Sequence, residues 1–162
     1  MKYQFLLFVC ISISSIANAQ LKGKAGCPPI TVDVMDGSIN GIYPKSSIVE
    51  IKGILPCFTS VVDTDSIAKC AGVFYADRDI HFYTARKYFE IGEKFNGKLS
   101  PALIGVSRNK LFSLLGHPKL KDTGWDAFQM GYGTLILYYN TAGKINKIQI
   151  SSKKTDDIKL CE

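Results

Sequence analysis

Histidine is scarce in this chain, with two among 162 residues. No Cys-x-x-Cys pair occurs and neither histidine lies near two cysteines, so the spacing of a zinc site is missing and no metal is expected. The sequence also has no glycine-rich phosphate loop, no Gly-x-Ser-x-Gly elbow and no zinc-protease helix, which removes the nucleotide-binding and hydrolase classes that announce themselves by motif. No cofactor is expected either. Long apolar runs are absent: the longest, residues 5–16, falls well short of the roughly 20 residues a spanning helix needs, so no transmembrane span is expected. With 46% hydrophobic and 21% charged residues, the composition is that of a folded globular chain and not of a disordered one.

The amino terminus has the form of an export leader. Lys2 supplies the positive start, Phe5 to Ile16 the apolar stretch, and Ala17-Asn18-Ala19 a small-x-small cleavage site. Cys10 follows Val9, where a lipidated cysteine requires a small residue, so it reads as part of the discarded segment. Residues 1–19 are therefore a signal peptide, and the expected destination after cleavage near Ala19 is secreted or periplasmic. Lys2 is the one charged group that leaves, so a net charge of +6 becomes an excess of five cations. That surplus, concentrated at Lys144, Lys147, Lys153, Lys154 and Lys159, is suited to an acidic protein partner. Asp156 and Asp157 interrupt it and no aromatic-basic alternation surrounds it, so nucleic acid is not expected.

Four cysteines stay in the exported chain: Cys27, Cys57, Cys70 and Cys161. An even number bound for an oxidising compartment predicts two disulfides. Of the three possible pairings, Cys57 with Cys70 and Cys27 with Cys161 is preferred, the first being close in sequence and the second clasping the two ends.

Period-two alternation places a strand over Ile30, Val32 and Val34 running into a turn at Asp36-Gly37. Ser47 with Glu50 forms a capping box ahead of Ile48, Ile51 and Leu55, a short helix that ends by Pro56. Residues 58–69 are polar and turn-like. Residues 72–76 and 80–91 read as consecutive antiparallel strands with Asp77-Arg78-Asp79 between them. The later sequence follows the same order: Ser107 as an N-cap, a stripe of Leu111, Leu114 and Leu115, a stop at Gly116 and Pro118, then strands near Trp125 to Phe128, Thr134 to Asn140, and through Ile148 and Ile150. A shift of sixty positions lays Ser47 on Ser107, Ile51 on Leu111 and Lys87 on Lys147, a helix followed by three strands in each part. The expectation is an α+β protein of two tandem helix-plus-antiparallel-sheet units, residues 20–100 and 101–162, each sheet with one open face.

The stretch from Ile104 to Ser151, with Leu114-Leu115-Gly116-His117-Pro118, Trp125, the strand Leu135 to Tyr139 and Gly143-Lys144-Ile145, resembles the SmpA/OmlA-type outer-membrane assembly lipoproteins and the related β-lactamase inhibitory protein fold. The resemblance implies a short helical pair on an antiparallel sheet. Its tandem form implies an inhibitor that offers a concave sheet to an enzyme; the lipoprotein form implies an envelope-assembly scaffold.

Catalytic candidates are few. His117 lies at a helix end, where capping accounts for it. His81 alternates with Ile80 and Phe82 on a strand. The pairs Asp63 with Asp65 and Asp77 with Asp79 have the i, i+2 spacing of a glycosidase acid and base, but sit in turn-like sequence that favours aspartate for its own sake. A small secreted hydrolase is thus an alternative, and no catalytic residue is assigned. The aromatics carry more information. If Ile80, Phe82, Leu135, Leu137, Ile148 and Ile150 form the core, alternation directs Tyr83 and Tyr138 to the opposite face. Tyr75, Tyr83, Tyr88, Trp125, Tyr132 and Tyr138 are accordingly the expected protein-binding anchors of a non-catalytic inhibitor or immunity-type protein.

Overall fold

Alternating β-branched and aromatic residues dominate the chain from Gly72 onward, and they assemble as strands joined by tight turns. The computed structural model describes residues 26–62 and 70–161; the leader, Asp63 and Asp65 lie outside them. Eleven strands and two short α-helices occur among the described residues. In chain order the strands are β1 (Thr31–Asp33), β2 (Ser38–Ile39), β3 (Ser60–Val62), β4 (Gly72–Tyr75), β5 (Ile80–Tyr83), β6 (Tyr88–Gly92), β7 (Lys98–Ser100), β8 (Leu120–Lys121), β9 (Trp125–Met130), β10 (Gly133–Tyr139) and β11 (Ile145–Ser151). Helix α1 (Ile48–Ile54) lies between β2 and β3, and α2 (Phe112–Leu115) between β7 and β8. A small sheet has the order β2-β1-β7, and a large sheet the order β3-β4-β5-β6-β11-β10-β9-β8.

Register explains the core. Val73, Phe82, Phe89, Ile150, Leu135 and Phe128 are successive cross-strand partners and form one apolar row across the large sheet. Tyr75, Ile80, Ile91, Ile148 and Leu137 form the row beside it. Both rows are buried under the small sheet and α1, which contribute Ile30, Val32, Val34, Ile39, Ile42, Ile51 and Leu55, and under Leu103 and Leu111. The capping box is present: Glu50 N–H donates to Ser47 Oγ at 3.3 Å and Ser47 N–H to Glu50 Oε2 at 2.7 Å. Ser107 precedes a 3-10 turn without capping it through its side chain. The polar stretch after Phe58, expected to be a turn, contains β3.

The expectation of two helix-plus-sheet units is overturned, because β6 pairs with β11 over five residues and joins the two parts into one eight-stranded sheet. Two physical reasons account for this. The helices, of seven and four residues, are about 10 and 6 Å long, whereas eight strands span about 34 Å, so neither helix can cover a sheet. Pairing β6 with β11 also sets Phe89 opposite Ile150 and Ile91 opposite Ile148, which widens a single core and closes two sheet edges that separate units would leave open.

The disulfide pairing is corrected as well. Cys27 is bonded to Cys57 and Cys70 to Cys161. Nearness in sequence misled, because β3 and β4 are antiparallel with Ser60 opposite Phe74 and Val62 opposite Gly72. That register sends Cys57 and Cys70 to opposite ends of the hairpin, roughly 20 Å apart. Two disulfides fit an oxidising extracellular or periplasmic compartment. No helix among the described residues is long and apolar enough to cross a membrane.

Candidate functional site

The side chains between the core residues of the large sheet point the other way. Register lines up Phe74, His81, Glu90, Gln149, Ile136 and Ala127 as one row on this outward face. Tyr83, Tyr88, Ser151, Thr134 and Gln129 form a second row. Lys147, Tyr138 and Trp125 form a third.

A polar network occupies the middle. Gln149 Nε2 donates to Glu90 Oε2 at 2.7 Å, and Tyr138 OH donates to Gln149 Oε1 at 2.9 Å. Lys147 Nζ is 3.5 Å from Glu90 Oε2 and 4.3 Å from the Tyr138 ring centroid, while His81 Nδ1 is 3.8 Å from Glu90 Oε1. Burial pushes the Glu90 carboxyl up, but the nearby His81, the hydrogen bond from Gln149 and the charge of Lys147 together outweigh it and hold the group below the ordinary carboxylate value. The centre of the face is thus an acid enclosed by donors, and not the basic surface that composition suggests. Beside it, Tyr83 stacks on Tyr88 at 4.6 Å and meets Phe74 edge-on at 5.5 Å.

The chain end folds back over part of this face. Residues 152–161 leave β11, and both the N–H and the hydroxyl of Thr155 donate to Gln129 Oε1, at 3.2 and 3.1 Å. Lys119 Nζ pairs with Asp156 at 2.6 Å. The segment then returns across the sheet to Cys161, whose N–H donates to Tyr88 OH at 3.0 Å and whose sulfur is bonded to Cys70. Between this tail and β8, β9 and β10 lies a groove of about 550 Å³ lined by Leu120, Trp125, Ala127, Ile136, Tyr138, Ile158 and Leu160.

The six aromatic candidates therefore divide. Tyr83, Tyr138 and Trp125 are half-buried on the outward face. Tyr88 is on the same face but 1% exposed, sealed by Tyr83 and the chain end. Tyr75 is on the core face, 0% exposed, with its hydroxyl donating to Leu55 O at 2.6 Å. Tyr132 leaves the face: its ring lies over Gly37 and its hydroxyl donates to Val34 O at 3.0 Å, tying the β9–β10 turn to the first hairpin. Gly37 has φ +72°, and a Cβ there would come within 2.6 Å of that ring, so both backbone and space demand glycine. Burial raises the pKa of all three of these phenols, Tyr75, Tyr88 and Tyr132.

Among the described residues no histidine is paired with Asp77 or Asp79. Asp79 is in the left-handed region at the end of a 3-10 turn and accepts from Lys94 N–H at 2.8 Å, and Asp77 pairs with Arg78. His117 packs on Phe112 at 4.4 Å, away from the outward face. Among the described residues no group of three His, Cys, Asp or Glu side chains is placed to hold a metal.

Sequence reasoning passed over Phe74, Glu90, Lys147 and Gln149 as site residues. Their alternation with Phe89, Ile91, Ile148 and Ile150 was visible, but only register makes neighbours of them. It also missed Asp126, a β9 carboxylate at the end of the second core row. Arg108 Nε and Nη2 donate to Asp126 Oδ2 and Oδ1 at 2.9 and 2.6 Å, and Tyr139 OH donates to Oδ2 at 2.7 Å. Arg108 also reaches the carbonyls of Thr123 and Asp122 and lies over the Tyr139 ring. The hydrogen bonds that Arg108 donates to the Asp126 carboxylate raise the Arg108 pKa. This cluster staples the β8–β9 turn to the core.

Comparison with protein-family models, curated proteins and solved structures finds no match. The chemistry of the outward face is what there is to reason from.

Proposed function

We propose that this chain is an exported, non-catalytic binding protein whose contact surface for a partner protein is the outward face of the large sheet. The observation that carries the reading is the placement of Tyr83, Tyr138 and Trp125, half-buried on a strand framework that is paired on both sides of each of them. Aromatic side chains held rigidly at a rim of charge give large contact area at small entropic cost, which is how interface anchors work. The surrounding groups are hydrogen-bonded to one another, Gln149 to Glu90 and Tyr138 to Gln149, so the surface is organised before a partner arrives. Export rests on the leader ending near Ala19 and on the two disulfides. An inhibitor or immunity-type role against an envelope enzyme is the specific form proposed, the partner offering an acidic patch to the lysines at the rim.

The test is co-purification of a tagged chain from envelope extract, with Tyr83→Ala and Tyr138→Ala variants whose melting shows that they fold. Loss of a defined partner in both variants, together with inhibition of that partner's activity by the wild-type chain, supports the reading. Undiminished capture by both variants overturns it. Mass measurement of the exported protein should give a chain beginning at Gln20.

A further inference from the structure

The groove beneath the tail differs in chemistry from the rest of the face. Its apolar walls are Leu120, Trp125, Ala127 and Ile136 from the sheet and Ile158 and Leu160 from the tail, with Tyr138 and Thr155 as polar members of the lining. Its volume of about 550 Å³ falls in the range of about 300–1,000 Å³ that small ligands occupy. Lys159 lines the groove and, with Lys153, also lines an adjoining recess that holds Arg86 and Asp157 among the described residues. A cleft with apolar side chains along its length and Lys159 and Lys153 at its mouth is complementary to a molecule with a hydrocarbon chain and an anionic head. A peptide fits less well. The floor strands β9 and β10 are already paired on both sides, and the one sheet edge at the groove, β8, is two residues long, too short to template an extended chain.

We propose that this groove binds a free, single-chain anionic amphiphile of the fatty-acid class, with its chain along Trp125 and Ile136 and its carboxylate at Lys159 and Lys153. The site goes beyond the protein contact described above: it shares Trp125 and Tyr138 with that surface but is argued from the groove and its lysines, and Tyr83→Ala, which tests the protein contact, leaves the groove lining intact.

Trp125 is the sole tryptophan, so its emission reports the groove directly. The intact exported chain is titrated with laurate below its micelle-forming concentration, with dodecyltrimethylammonium of equal chain length as the charge control, and the complex is weighed by native mass spectrometry. The expected result is a saturable blue shift with laurate, a one-to-one adduct, and affinity about tenfold weaker when Lys153→Glu and Lys159→Glu are combined. Ala127→Leu, which fills the floor, should abolish the shift. Should that variant fail to fold, the surface charge reversals and the wild-type adduct still decide. Equal response to the cationic amphiphile, indifference to the charge reversals, or a shift with anionic phospholipid vesicles but not with free laurate would each overturn the assignment, the last in favour of a membrane surface.

Discussion

Asp126 and Glu90 are carboxylates on opposite faces of one sheet, and each is ringed by donors. Asp126 ends a core row, is 4% exposed, and is held by a bidentate arginine and a tyrosine hydroxyl. Glu90 sits in the outward row with 19% of its side chain accessible, and its partners are a glutamine, a lysine and a histidine at longer range. The first arrangement is a closed knot that fixes a turn; the second is a network that water and a partner can reach. The same pairing of unlike groups is therefore structural on one side and available for recognition on the other, the difference being desolvation.

The largest effect is expected from the covalent tie that closes part of the outward face. Replacing Cys70 and Cys161 by Ser opens a loop of 91 residues and should cost about 4.5 kcal/mol, against about 3.5 kcal/mol for the 30-residue loop of Cys27 and Cys57, on the chain-entropy relation. Denaturant unfolding of the two double variants measures the order; equal losses would show that the tail contributes little beyond its own contacts. Arg108→Ala comes next, with a loss of about 4 kcal/mol, because it leaves a buried charge unpaired. Adding Asp126→Asn should recover part of it.

Glu90→Gln tests the outward member of the comparison and should cost only about 1 kcal/mol at neutral pH. Its sign with pH follows from the lowered pKa. The folded protein holds the Glu90 proton less tightly than the unfolded chain does, so the carboxylate stabilises the fold above the ordinary carboxylate range. That contribution fades as pH falls through that range to the folded value. Melting temperatures from neutral to acid pH should fall less steeply in the variant; parallel curves would remove Glu90 from the account. Smallest of all is Tyr138→Phe, which loses one hydrogen bond to Gln149 and should change stability by about 1 kcal/mol or less.

Much of the strand layout was legible. Ile80, Phe82, Leu135, Leu137, Ile148 and Ile150 share the core face, and Tyr83 and Tyr138 lie opposite, because a strand has a fixed period of two and water sorts the two sides by polarity. Counting Tyr75 among the outward anchors ran against that rule, since alternation places it with Val73 on the core side, where its hydroxyl donates to Leu55 O. Tyr132 is in a turn, where no period applies. The reading of two tandem units rested on element order along the chain, and it fails because one sheet runs through both parts.

What the sequence determined by itself is local: which residues alternate, where Ser47 and Glu50 cap a helix, where Gly37 turns the chain, and that four cysteines would be paired. What only the tertiary structure decided is non-local: that β6 lies beside β11, that Cys161 crosses the sheet to Cys70, and that Glu90 meets Lys147. The reason is physical. Backbone sterics and side-chain polarity act over a few residues and can be read along the chain, whereas strand order depends on which pairing buries the most apolar surface and leaves the fewest open edges, a property of the whole assembly.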